Sequence, residues 1–172
     1  MGNKENITEN IYDILSLTYD GVEEIIENEY YAVNQNGIKK LYSVSDKRVI
    51  IDDEIVHTED MNICTVNTAK QTYIIFSGYE PLVIDGKYRV AFTRANLCAL
   101  VSKRKFSNKT GLCVVDIVGH KIVWVDSCMQ VGISPKQDAI YYNTWNDGNG
   151  SRLVYIMLNG VIKTFDEYMD MQ

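Results

Sequence analysis

Beyond residue 30 the chain is written mainly in short runs of Val, Ile, Tyr and Thr, broken by clusters of Gly, Asn and Asp. That pattern predicts strands and tight turns. Tyr30–Val33 leads through Asn34-Gln35-Asn36-Gly37 into Ile38–Val44, with Asn36-Gly37 supplying the positive-φ pair a hairpin needs. Ser45-Asp46-Lys47 turns into Arg48–Ile51, and further strands are expected at Gln71–Phe76, Pro81–Ile84 and, after Asp85-Gly86, Tyr88–Phe92. No run of ten or more residues in this region has a helical period. The expected class is mainly β.

The C-terminal half carries a longer regularity. Residues 99–129 and 139–169 align at an offset of 40, each as an apolar strand, a polar loop, a second strand, a tight turn and a third strand. Cys113 falls on Leu153, Val115 on Tyr155, Ile117 on Met157 and Ile122 on Ile162. An even offset preserves the inward and outward faces of a strand. The expectation is an antiparallel three-strand meander repeated about every 40 residues, propeller-like or stacked.

The stretch Gly132-Ile133-Ser134-Pro135-Lys136-Gln137-Asp138-Ala139-Ile140-Tyr141-Tyr142 resembles the opening of a blade in prolyl-oligopeptidase and Tol-type β-propellers. In those blades a Ser-Pro turn precedes the first apolar strand. The Asn-Gly and Ser-Asp-Lys turns of residues 30–52 resemble short bacterial WG-type repeats, although the Trp-Gly pair is absent. The resemblance implies a fold and carries over no catalytic residue.

Residues 7–30 read two ways. Ile7, Ile11, Ile14, Leu15, Val22, Ile25 and Ile26 keep helical spacing, which predicts an amphipathic helix broken at Asp20-Gly21 and covering an open sheet edge. Leu15, Leu17 and Tyr19 also alternate, and Asp20-Gly21 would suit a hairpin into Val22–Ile26. The pattern leaves both open.

Charge divides the chain unevenly. Residues 1–30 hold Glu5, Glu9, Asp13, Asp20, Glu23, Glu24, Glu27 and Glu29 against Lys4 alone, so the overall net charge of −6 belongs to this segment and the rest is near neutral. Such a segment repels phosphate backbones and favours a basic protein partner. Nucleic acid is therefore not expected as a partner. Glu23, Glu24, Glu27 and Glu29 are the candidate partner-binding residues.

At 172 residues the chain suits a single domain spanning 1–172 that buries its own core. Its longest apolar run, Leu153–Leu158, is six residues, far short of a membrane span. Met1–Asn6 has no apolar stretch of a secretory signal, and a cytoplasmic location is expected. Cys64, Cys98, Cys113 and Cys128 lie in apolar surroundings without a Cys-x-x-Cys pair, as buried free thiols do.

Catalytic patterns are scarce. Gly132-Ile133-Ser134-Pro135-Lys136 fails as a nucleophile elbow at its last position, and Asn143–Gly148 fails as a calcium loop because Trp145 takes a ligand place. His57, near Asp53 and Glu59, reads as an exposed loop residue, and His120 as a turn residue. Asp116 and Asp126 flank a hairpin as a conceivable carboxylate pair. No enzyme, metal or cofactor is expected.

Two loops do carry binding chemistry. Lys103-Arg104-Lys105 forms a basic island, and the corresponding loop of the next unit sets Trp145 among Asn143 and Asp147. Trp among small polar residues is interface composition. The reading that follows is a non-enzymatic protein of bacterial or phage type, rich in Ile, Asn, Lys and Tyr. It engages a protein partner through a rigid β surface, in the manner of an inhibitor or immunity protein. The alternatives are a small-ligand module built on Trp145, Asn143, Asp147, Lys103, Arg104 and Lys105, and a subunit of a homo-oligomer.

Overall fold

A computed structural model describes residues 10–60, 63–103, 110–146 and 150–171. The protein is mainly β, and its described residues form four consecutive antiparallel sheets of four strands each. The first sheet runs β1 (Gly21–Ile26), β2 (Tyr30–Gln35), β3 (Ile38–Ser43) and β4 (Arg48–Ile51). The second is β5 (Val56–Asp60), β6 (Ile63–Asn67), β7 (Gln71–Ile75) and β8 (Leu82–Asp85). The third is β9 (Arg89–Arg94), β10 (Leu97–Lys103), β11 (Thr110–Asp116) and β12 (Lys121–Cys128). The fourth is β13 (Gln130–Ile133), β14 (Ala139–Asn146), β15 (Gly150–Met157) and β16 (Ile162–Thr164). Among the described residues, two short helices, α1 (Ile11–Ser16) and α2 (Phe165–Met169), flank the strands.

Alternation along the central strands sets the packing. On β2, Tyr30 and Ala32 join Cys64, Val66 and Ile75 of the second sheet, whereas Tyr31 and Val33 face Leu15 of α1. Ile63, Ile74 and Ile84 pack on Cys98, Leu100, Cys113 and Val115 of the third sheet. Leu97, Ala99, Leu112 and Val114 pack on Ile140, Tyr142, Val154 and Ile156 of the fourth. The far face of the fourth sheet, with Ala139 and Tyr155, is covered by Tyr168 of α2. Each apolar cluster thus spans two successive layers. Burying one such Leu or Ile contributes about 1.5–3 kcal/mol. A ring of blades would need the fourth sheet against the first; among the described residues no core cluster joins them.

Several sequence expectations change in detail. Each meander has a fourth strand, because Arg89–Arg94 and Gln130–Ile133 pair ahead of the three-strand units. The offset of 40 holds for Leu100 and Ile140, which both face the preceding sheet, but not for the second strand. Cys113, Val115 and Ile117 face the second sheet, while Leu153, Tyr155 and Met157 lie beneath α2. The cause is loop parity. Six residues separate the paired Lys103 and Thr110, but three separate Asn146 and Gly150, and an odd difference reverses the faces.

Residues 10–26 combine parts of both readings. The helix stops at Ser16, and its cap is Asn10, whose side chain accepts from the Tyr12 amide. Gly21 then opens a strand whose partner is β2, not residues 15–19. Helix α1 covers a sheet face through Leu15 rather than an edge. Helix α2 escaped the periodicity test because it is five residues long, yet its capping box is written in Thr164 and Glu167.

The turns fall on two ends. In each sheet the connections between first and second strands, and between third and fourth, emerge at one end, and the middle connection at the other. The same-end turns of successive sheets touch: Glu29 meets Ser77 and Gly78, Tyr79 meets His120, and Arg94 donates to the Gln137 carbonyl.

Candidate functional site

The four acidic candidates lie on β1 and the turn after it, and three of them are already engaged. Glu23 accepts from Lys39 at 2.8 Å and lies 3.3 Å from His57 Nε2, tying β1 to β3 and to the second sheet. The Lys39 hydrogen bond, with His57 nearby, holds the Glu23 carboxyl below its ordinary range. Glu24 accepts from the Asn28 amide at 2.9 Å and the Tyr31 hydroxyl at 2.7 Å, and these bonds lower it as well. Burial and the Glu24 carboxylate push Tyr31 up to about 12. Glu29 accepts from the Ser77 hydroxyl at 2.5 Å and the Gly78 amide at 2.7 Å, across the junction of the first two sheets. Glu27 alone is exposed with no hydrogen bond or ion pair among the described residues.

That junction encloses a cleft of about 500 Å³ lined by Asn28, Glu29, Tyr30, Val44, Ser45, Gly78, Tyr79 and Glu80. The volume lies in the range of binding clefts. Each wall is a tight turn with a residue at positive φ. The β1–β2 turn supplies Asn28 in a left-handed conformation (φ 57°), and the β3–β4 turn supplies Ser45 with Lys47 at φ 53°. The β7–β8 turn carries Gly78 at φ 75°, followed by Tyr79 and Glu80. The Tyr30 hydroxyl forms the floor and points to the Tyr79 carbonyl at 3.4 Å. Burial raises the Tyr30 phenol, and the charges of Glu80, Glu29 and Asp46 raise it further. Three carboxylates therefore act on one buried hydroxyl. No Lys, Arg or His stands among the described lining residues.

Tyr79 is 51% exposed, yet its ring is not loose. It stacks on the His120 imidazole with centroids 3.5 Å apart and 20° between planes, and the Phe76 ring meets the same imidazole edge-on. His120 sits at φ 47° at the tip of the β11–β12 turn, as its sequence context suggested. Sequence reading named the Ser45-Asp46-Lys47 turn, but not the turns at Asn28 and at Ser77–Glu80, nor Tyr30, Asp46, Tyr79 and Glu80 as a group. The Ser-Asp-Lys and Ser-Gly-Tyr-Glu turns lie about thirty residues apart, and only sheet packing brings them together.

The second candidate set lies elsewhere. Lys103 ends β10 and Trp145 lies near the end of β14, on adjacent sheets and at the end opposite the cleft. Arg104, Lys105 and Asp147 lie outside the described residues, as do the surroundings of the Lys103 and Trp145 side chains. Asn143 is half-buried on β14, and its side-chain oxygen has no hydrogen-bond donor among the described residues.

The remaining chemistry is structural. His57 belongs to β5 and is half-buried beside Glu23, not on an exposed loop. Asp116 accepts from Asn96 and from the Val118 and Gly119 amides, which lowers it and fixes the β11–β12 turn. Asp126 accepts from the Tyr142 hydroxyl at 2.9 Å, and that hydroxyl accepts from Trp124 Nε1 at 2.6 Å. Asp126 pairs with Leu112, four positions along β11 from Asp116, so the two residues stand about 13 Å apart along the strands. They form no dyad. All four cysteines are buried free thiols, and burial raises Cys64 to about 11, Cys113 to about 12 and Cys128 to about 11.

No protein-family model, curated protein or solved structure matches the chain. Among the described residues, no helix is long and apolar enough to cross a membrane.

Proposed function

We propose that this is a non-enzymatic binding protein that docks a basic segment of a protein partner in the cleft between its first two sheets, as a neutralising inhibitor would. One observation carries the reading: an aromatic-floored cleft flanked by Glu29, Glu80 and Asp46, with no cation among the described lining residues. Glu80 and Asp46 have no side-chain hydrogen bond or ion pair among the described residues, so an incoming ammonium or guanidinium group meets carboxylates that no internal base neutralises. The acidic β1 edge beside them adds long-range attraction for the same partner. The walls are turns locked to their sheets, which limits the ordering cost on binding.

Reversing all four glutamates of β1 and its turn would be a poor test, because Glu23, Glu24 and Glu29 also make internal bonds that the reversal would break. Asp46→Asn with Glu80→Gln removes charge without removing an internal bond. The experiment is selection from a displayed random-peptide library against the wild-type protein and this double variant. Peptides enriched in Lys and Arg that bind wild type and not the variant support the reading. Selected peptides without basic residues, or equal capture by both proteins, would overturn it.

A further inference from the structure

Resting on that reading, we infer that the cleft selects arginine over lysine, with the guanidinium lying flat on the exposed side of Tyr79 and its N–H groups directed to Glu80 and Glu29. The His120 stack is what points to a planar cation. One face of the Tyr79 ring is held by the imidazole at 3.5 Å, and Phe76 braces the imidazole from the side. Tyr79 as a whole is half-exposed and is one of the residues that line the cleft. An aromatic ring fixed on one side offers its other side as a preset platform, so little side-chain freedom is lost on binding.

The two basic side chains use such a platform differently. A guanidinium stacks on an aromatic face and still presents N–H donors in its own plane towards carboxylates. An ammonium is a compact, strongly hydrated point charge that must shed water to approach a ring. Two acids stand beside Tyr79 along the cleft. Glu29 is anchored by Ser77 and Gly78 on the second sheet's side of the cleft, and Glu80 adjoins Tyr79 in the chain. Carboxylate and phosphate side chains are repelled by the same groups, and an apolar side chain would leave them unneutralised.

Fluorescence anisotropy with labelled arginine and lysine hexapeptides tests this at about 0.15 M salt, where the Debye length of about 8 Å screens general attraction to an acidic protein. Wild type is expected to bind the arginine peptide about tenfold more tightly, as one cation–π contact provides. Tyr79→Leu should bring the two affinities within about twofold, and Tyr79→Phe, which keeps the ring, should preserve the preference. Equal affinity of wild type for both peptides would overturn arginine selection and leave the basic-partner reading standing. A preference that survives Tyr79→Leu would overturn the placement on Tyr79. Failure of both peptides to bind, or of the arginine peptide alone, would overturn both readings.

Discussion

The Glu29 carboxylate receives the Ser77 hydroxyl at 2.5 Å and the Gly78 amide at 2.7 Å, and so joins the first turn of one sheet to the last turn of the next. The clamp shapes the cleft and locks its two walls together. Hydrogen bonds to a charged acceptor contribute about 1.5–3 kcal/mol when protected, and this pair is partly solvated. Glu29→Ala should therefore destabilise the protein by about 1–2 kcal/mol in urea denaturation. An unchanged midpoint would mean that apolar packing alone fixes the junction.

The Trp124–Tyr142–Asp126 chain is the corresponding tie between the third and fourth sheets. Tyr142 is fully buried, and burial together with the Asp126 carboxylate drives its phenol well above the usual range. Tyr142→Phe keeps the ring but strands a Trp N–H and a carboxylate oxygen. A loss of about 1–3 kcal/mol is expected, read by chemical denaturation. Neutral behaviour would show that water replaces the hydroxyl without cost.

Acid should loosen the cap at α2. Asp138 accepts from the Tyr168 hydroxyl at 2.7 Å and the Ser134 hydroxyl at 2.8 Å, and these bonds depress its carboxyl. A depressed carboxyl contributes stability that is present above its unfolded pKa of about 3.9 and lost as pH falls through the folded value. Wild type should therefore exceed Asp138→Asn in stability at neutral pH, and the gap should close in strong acid. A gap that is constant with pH would remove Asp138 ionisation from the account.

The cysteines provide a test of the layered core. Cys64 lies between the first and second sheets, Cys98 and Cys113 between the second and third, and Cys128 between the third and fourth. With thiols buried and those of Cys64, Cys113 and Cys128 raised, an aromatic disulfide reagent should label none of them rapidly in the native protein and all four after unfolding. Rapid native labelling of any one would locate an opening between those layers.

Much of the β architecture was legible in the chain because its turns are written in residues that tolerate positive φ. Asn36 and Gly37 take φ of 55° and 79°, and the strands around them begin and end close to where alternation placed them. Short or charged elements were harder to see. β5 contains His57 and Glu59 and reads as a loop by hydrophobicity, and it is held by pairing with the apolar β6. The face reversal between Cys113 and Leu153 depended on three residues of loop length, which similarity of composition cannot reveal. The cleft was less legible still. Glu29 stood out because of local charge density, but Tyr79 and Glu80 join it through contacts nearly fifty residues away in sequence.

The central claim is that a basic segment binds at the junction of the first two sheets and not at the opposite end of the protein. Its most direct test is backbone amide NMR of the isotope-labelled protein titrated with the arginine hexapeptide. The account predicts shift changes concentrated in residues 28–30, 44–46 and 77–80, with those of 36–37 and 67–70 unmoved. Changes centred on the strand ends near Lys103 and Trp145, or spread evenly over the acidic surface, would contradict it.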